Sequence, residues 1–243
     1  MRITARTDKG KVRSENQDDY RASLQEKNCA WAVVCDGMGG AAGGSTASSL
    51  AVTTVEERCT AMRLCEMTQQ ATAELAMELV EAANARVFRA AQQNAALTGM
   101  GTTMIFAAVQ EKLCSIASVG DSRVYLFRNG ALRQLTRDHS MVQEMVDKGM
   151  ISPQEAEHHP RKNVITRAIG IQPEIAADIF QLELQEKDIL LLCSDGLSNA
   201  LEISEMEGVL RSASFYDMAE QLIEQVLQLD EQDNTTVVLL SMV

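Results

Sequence analysis

Four times this chain sets an aspartate close to one end of a short apolar run. Asp36 follows Ala30-Trp31-Ala32-Val33-Val34-Cys35, Asp121 follows a run ending Ser118-Val119-Gly120, and Asp195 follows Ile189-Leu190-Leu191-Leu192-Cys193-Ser194. Asp233 reverses the order and precedes the run 237–242. A run of this length bounded by polar residues reads as a buried strand. In an antiparallel arrangement the end of one strand lies beside the start of its neighbour, so these acids can gather at one rim of a sheet. Behind Asp36 comes Gly37-Met38-Gly39-Gly40-Ala41-Ala42-Gly43-Gly44, a stretch almost without side chains. Glycine there permits positive φ and a close approach of backbone to whatever Asp36 holds. Taken singly, Asp-Gly after a strand is ordinary turn chemistry. Its recurrence along the chain is what asks for another explanation.

The rest of the chain supplies the framework. Residues 2–7 alternate weakly, as an edge strand does, and lead into a charged loop carrying Arg13 and the pair Asp18-Asp19. Residues 20–24 and 29–35 predict two strands joined by a polar turn at 26–28. From 45 to 96 there is no Gly or Pro, and helix formers dominate. Ala76, Leu79, Val80, Ala83, Val87, Ala90 and Ala91 recur at helical steps, and Leu50, Val55, Cys59 and Met62 mark an earlier helix. Two helices broken near 66–70 fit this pattern. Short β-like runs at 102–109, 113–119, 123–127 and 132–135, separated by tight turns, predict an antiparallel meander. A short helix at 141–148 precedes an irregular segment, 149–170, holding two of the three prolines and the adjacent His158 and His159. Strand character returns at 174–184, and helices are expected at 203–211 and 215–229, the latter burying Ala219, Leu222, Ile223, Val226 and Leu229. No repeat, low-complexity tract or linker divides the 243 residues, which read as one domain.

Composition removes several functions. The 34 acids against 22 bases leave a net charge of −12, which argues against a nucleic-acid or anionic-membrane partner. No window of about 18 apolar residues predicts a membrane span, and the N-terminus lacks the apolar core of a signal peptide. The six cysteines show no CxxC pair and mostly sit inside apolar runs, as small buried hydrophobes of a reducing cytoplasm do. Three histidines are too few for an imidazole-rich metal centre. The glycine stretch 37–44 precedes a helix with Ser45 as a cap, a phosphate-binding possibility. However, it lacks the Lys-Ser/Thr of a nucleotide-binding loop and any dinucleotide fingerprint. No glycine elbow surrounds Ser140 or Ser194, so a hydrolase triad is poorly supported.

Several carboxylates in one low-dielectric place repel and are driven to protonate. A hard divalent cation removes the conflict, and oxygen-only ligands favour Mg²⁺ or Mn²⁺ over Zn²⁺. Two such ions about 4 Å apart can hold a bridging hydroxide and clamp a phosphoryl group for in-line attack. Arg13 suits bidentate binding of a phosphate dianion.

Eight short motifs carry a resemblance. They are Val-Arg-Ser-Glu-Asn-Gln-Asp (12–18), Asp-Gly-Met-Gly-Gly (36–40), Gly-Thr-Thr (101–103) and Val-Gly-Asp-Ser-Arg (119–123). Leu-Thr-Arg-Asp-His-Ser (135–140), Ile-Thr-Arg-Ala-Ile-Gly (165–170), Cys-Ser-Asp-Gly-Leu-Ser (193–198) and Asp-Asn-Thr-Thr-Val (233–237) complete the set. In this order they resemble the metal-dependent protein phosphatases, the PPM or type 2C family, and above all its short stand-alone bacterial members. The resemblance implies an α+β fold, an α-β-β-α sandwich of two antiparallel sheets flanked by paired helices.

The resemblance also implies a cytoplasmic, monomeric Ser/Thr phosphatase that hydrolyses phospho-Ser and phospho-Thr without a phosphoenzyme, by attack of a hydroxide bridging two Mn²⁺ or Mg²⁺ ions. Its partners would be phosphorylated proteins, a cognate Ser/Thr kinase among them, with neither nucleic acid nor membrane. Carried over by position, Asp36 bridges the two ions, the Gly37 carbonyl binds one, and Asp195 and Asp233 complete the pair. Asp18 lies in or just behind the coordination sphere, and Asp121 with Asp195 holds a weaker third ion. Arg13, Asp36 and Asp195 form the implied catalytic set, and 141–168 is a flap beside the cleft. The chain departs from the family at Gln17, where many members have Glu, at Met38, where many eukaryotic relatives have His, and at Asn199, where some have Asp. Two rivals remain at this stage: a non-catalytic phosphoprotein-binding regulatory module on the same fold, and a metal-dependent hydrolase of small phosphoesters.

Overall fold

Alternation along the strands sorts the apolar side chains into three layers. The computed structural model describes residues 1–40, 43–229 and 233–242; Ala41 and Ala42 of the glycine stretch and the polar residues Asp230, Glu231 and Gln232 lie outside the described residues. The chain begins β1 (Arg2–Asp8), β2 (Asp18–Glu26), β3 (Cys29–Met38), α1 (Gly43–Ala61) and α2 (Gln69–Gln93). Next come β4 (Gly101–Thr102), β5 (Met104–Gln110), β6 (Leu113–Val119), β7 (Arg123–Arg128) and β8 (Ala131–Gln134). It continues with α3 (Met141–Asp147), α4 (Pro153–Glu157), β9 (Asp178–Glu183) and β10 (Ile189–Cys193), and closes with α5 (Asp195–Ala200), α6 (Ile203–Ser212), α7 (Met218–Gln228) and β11 (Thr235–Ser241).

One antiparallel sheet has the order β1-β11-β10-β7-β8 and the other β2-β3-β5-β6-β9, with the short β4 paired to the end of β3. Because successive side chains of a strand face opposite ways, each central strand feeds two cores. Val33 and Cys35 of β3 and Phe106 of β5 pack under α1 and α2, while Val34 and Ile105 face the opposite sheet. In β10 and β11, Leu191 and Leu239 pack under α6 and α7, while Leu190, Leu192, Val238 and Leu240 fill the space between the sheets. Helices therefore cover both outer faces and the expected α-β-β-α sandwich is observed. Each fully buried Leu, Ile or Val adds roughly 1.5–3 kcal/mol, so the sheet centre is a rigid base for whatever its rim carries.

The break between the first two helices covers 62–68, slightly earlier than the expected 66–70. The Gln25 amide donates to the carbonyls of Cys59 and Met62 and accepts from the Leu64 amide, satisfying groups that the end of α1 would otherwise leave open. Thr68 caps α2 through the Ala71 amide.

Three sequence expectations need correction. The runs from 102 to 135 do not form one meander: β5 and β6 belong to one sheet, β7 and β8 to the other. The chain changes sheets at Gly120, which holds φ +103° and packs so tightly that a Cβ there would meet Thr103 Cγ2 at 2.6 Å. The edge that β6 would have offered β7 is taken by β9. No helix was expected at 195–200, yet Asp195 opens α5, a helix of six residues too short to show a period. Leu229 lies beyond the end of α7 and is exposed, unlike the other four residues of that stripe.

Candidate metal and phosphate site

Register brings the first two acids together. Asp18 opens β2 directly opposite Asp36 near the end of β3. Asp36 is fixed through its backbone: its N–H donates to Thr103 Oγ1 at 2.9 Å, and its carbonyl accepts from the Thr103 N–H and Thr102 Oγ1, both at 2.8 Å. The Gly-Thr-Thr motif thus anchors the strand end and leaves the Asp36 carboxyl for other work. Thr103 Oγ1 also meets Ser122 Oγ at 2.7 Å, tying Asp36 to the sheet-changing turn that carries Asp121.

Two acids arrive from the other sheet. Asp195, first residue of α5, has its carboxyl within hydrogen-bond reach of Asp36 and accepts from Asn199 Nδ2 at 3.0 Å. Gly196 is required beside it, since a Cβ would lie 2.1 Å from the Asn234 carbonyl. That close approach brings the start of β11 against α5. Asn234 then acts as a clamp: its side chain donates to the carbonyls of Lys9 and Glu15 and accepts from the Gln17 amide, which pins the first loop to β11. On that loop Arg13 reaches Asp233 Oδ2 at 2.7 Å, with half of its side chain exposed.

Gly37 closes the floor. Its N–H donates to the Gln17 carbonyl, and a Cβ there would meet the Gly44 carbonyl oxygen at 2.1 Å. Only bare backbone fits between the end of β3 and the start of α1.

The electrostatics follow from crowding. Burial raises the Asp36 carboxyl well above its ordinary range, and Asp18, Asp195 and Asp121 add to the effect. Asp18 is pushed up to about 7 by burial, with Asp195 and Asp233 contributing and the hydroxyls of Ser194 and Thr236 opposing. Asp121 is pushed up to about 8, first by burial and then by Asp195 and Asp138. Asp18, Asp121 and Asp195 therefore act on Asp36, and Asp195 and Asp233 act on Asp18, so the acids are contributed by both sheets and not by the rim of one.

A hard divalent cation fits this donor set. The side chains are oxygen ligands only, and Asp18 Oδ1 is buried with no hydrogen-bond partner among the described residues. Among those residues no three His, Cys, Asp or Glu side chains already converge as ligands on a single point, and Asp233 is turned to Arg13. The proposed phosphate-binding Arg13 and the proposed ligand Asp233 thus meet directly. Asn199, one of the departures, donates to Asp195.

A cleft of about 980 Å³ opens from Asp121 and Asp195, between the irregular segment and α5–α6. Val142, His158 and Lys162 line one wall, Asn199 and Ile203 the other. Arg123 on its floor is already clasped by Asp138 through contacts of 2.7–3.0 Å. The volume is far beyond that of a phosphate alone and suits a peptide segment.

The sequence reading weighed Ser194 only as a nucleophile and did not single out Thr236; the hydroxyls of both donate to Asp18 Oδ2 at 2.7 Å. Both lie inside quoted motifs. A hydroxyl at the end of an otherwise apolar strand, next to an acid, was the available signal.

Comparison with known proteins gives the following. The model of the family described as protein phosphatase 2C matches residues 8–235. The chain is 38% identical over 240 residues to the serine/threonine phosphatase stp of Listeria welshimeri, an alignment covering 98% of this chain and 95% of that one. The crystal structure of serine/threonine phosphatase Stp1 from Staphylococcus aureus superposes with a TM-score of 0.92 at 34% identity, covering 99% of this chain and 94% of the other. The catalytic domain of serine threonine protein phosphatase PstP in complex with two manganese ions gives a TM-score of 0.84 at 33% identity, covering 98% and 96%.

Proposed function

The chain belongs to the protein phosphatase 2C family of metal-dependent protein phosphatases, and on that premise we propose that it removes phosphate from phosphoserine and phosphothreonine in cytoplasmic proteins, acting as a monomer. Asp36, the Gly37 carbonyl, Asp195 and Asp233 would hold two Mn²⁺ or Mg²⁺ ions, and Asp121 with Asp195 would hold a weaker third. Bound there, such ions would supply an activated water as nucleophile and positive charge for the transition state. Arg13 binds the phosphate dianion, for which its exposed guanidinium at the rim of the acid cluster is suited. Met38 has no titratable group, so the proton for the departing alkoxide comes from water. The cleft beside 141–168 receives the polypeptide around the phosphorylated residue, a cognate kinase being one such partner.

The observation that carries this reading is the buried group of mutually perturbed carboxylates, with one oxygen of Asp18 left unpartnered. The test is hydrolysis of p-nitrophenyl phosphate with and without Mn²⁺, followed by rates on phosphopeptides and on small phosphoesters. Hydrolysis that needs Mn²⁺ and is faster on phosphopeptides is expected. No turnover on any substrate would indicate a binding module, and preference for metabolites a small-molecule hydrolase.

A further inference from the structure

The hydrogen bonds around Asp18 form a closed circuit whose direction is fixed by chemistry. Asn16 Oδ1 accepts the Asp18 amide at 3.2 Å, and Asn16 Nδ2 donates to Thr7 Oγ1 at 2.8 Å. Thr7 Oγ1 lies 2.7 Å from Thr236 Oγ1, and Thr236 Oγ1 lies 2.7 Å from Asp18 Oδ2. An ionised carboxylate, the form that serves a cation, only accepts, and an amide NH₂ only donates. Thr236 must therefore give its single proton to Asp18, so Thr7 must give its own to Thr236. The circuit runs one way, from the Asp18 backbone through Asn16, Thr7 and Thr236 back to the Asp18 side chain. Ser194 joins as a second arm: its Oγ accepts the Thr236 N–H at 2.9 Å and donates to the same Oδ2 at 2.7 Å.

Two features make this more than local tidiness. Both donors converge on Oδ2 alone, while Oδ1 of the same buried carboxylate receives none among the described residues. The circuit also crosses layers, because Asp18 belongs to one sheet and Thr7, Ser194 and Thr236 flank or lie on strands of the other. Ser194 and Thr236 have no exposed surface, so water does not substitute for either hydroxyl.

We propose that Thr7, Asn16, Ser194 and Thr236 are positioning residues that saturate one oxygen of Asp18 and present the other, in a single orientation, to the cation centre. The proposal rests on the reading that Asp18 serves a metal site. It assigns to Thr7, which touches no proposed ligand, a part in cation affinity. Partners that orient a metal's ligands commonly change affinity by about 10–100-fold when removed.

The test is a calorimetric titration of the metal-free protein with Mn²⁺. Thr236→Val, which keeps shape and removes the hydroxyl, is expected to weaken binding by about 10–100-fold, and Thr236→Ser to restore it. Ser194→Ala should act in the same direction and Thr7→Val more weakly. In an Asp18→Asn background, Thr236→Val should cause no further loss. A merely structural role would lower the melting temperature in EDTA and leave Mn²⁺ affinity unchanged, which would overturn the proposal. Should Thr236→Val fail to fold, Ser194→Ala and Thr7→Val decide the matter in the same titration. Wild-type protein that binds no Mn²⁺ would instead overturn the metal reading itself, and this inference with it.

Discussion

Asp36→Asn is expected to lower phosphatase turnover by about a thousandfold or more, while the metal-free protein becomes more stable at pH 8. The two halves of this result have one cause. The Asp36 carboxyl stands opposite Asp18, within reach of Asp195 and in the field of Asp121. Its strand is anchored through backbone bonds to Thr102 and Thr103 that the substitution does not touch. Asparagine keeps the shape and removes one charge from a crowded, buried place, so folding gains what repulsion had cost. Catalysis loses the group best placed to share cations with Asp195. Three decades of rate correspond to about 4 kcal/mol of transition-state stabilisation at 1.36 kcal/mol per decade. Turnover with saturating Mn²⁺ and calorimetric melting in EDTA measure the two halves. Full activity would remove Asp36 from the chemistry, and a collapse of the fold would make it a structural residue.

Metal-free protein is expected to lose stability as pH rises from 5.5 to 8.5, and Mn²⁺ to restore most of the loss. The sign follows from linkage. An unfolded aspartate titrates near 3.9, whereas Asp18 is raised to about 7, Asp121 to about 8, and Asp36 higher than its ordinary range, in each case first by burial. Between these limits the folded state binds more protons than the unfolded state, so unfolding free energy falls with pH. The contribution is fully present below the unfolded value and disappears as pH passes through the folded ones. Between pH 5.5 and 8.5 Asp18 alone is linked to a loss of about 2 kcal/mol, a shift on the order of 5 °C in melting temperature for a chain of this size. Cations replace the protons, and their stabilisation should be largest at the alkaline end, where no proton competes. Melting curves at pH 5.5, 7.0 and 8.5, in EDTA and in Mn²⁺, decide the point. A metal-free melting temperature that is flat or rises with pH would show that the carboxylates are not in conflict.

Much of this architecture could be read from the chain, and the exceptions share a cause. Strands such as β3 and β10 announce themselves because a continuous apolar run bounded by turns has few other folded forms. The division of β5–β8 between two sheets was not legible, since it depends on Gly120 fitting against Thr103 and on β9 reaching β6 from far along the chain. The six-residue α5 was hidden for a local reason: it contains Gly196, whose presence is required by Asn234 and not by the helix. At the site, Asp18 came from the charged first loop, whereas Asp36, Asp121, Asp195 and Asp233 stood out because acids beside apolar runs are anomalous. Ser194 and Thr236 did not, because a hydroxyl in a strand is commonplace until its partner is known. Arg13 was singled out for phosphate, and its contact with Asp233 shows how near the two proposed functions lie.

The account stands on the claim that these dispersed carboxylates bind hard cations in common. Anomalous scattering from a crystal soaked in Mn²⁺ tests it most directly. The account predicts manganese peaks contacting Asp36, the Gly37 carbonyl, Asp195 and Asp233, with Arg13 released from Asp233. Well-ordered crystals with no manganese among these residues, or with the ion held elsewhere, would contradict it.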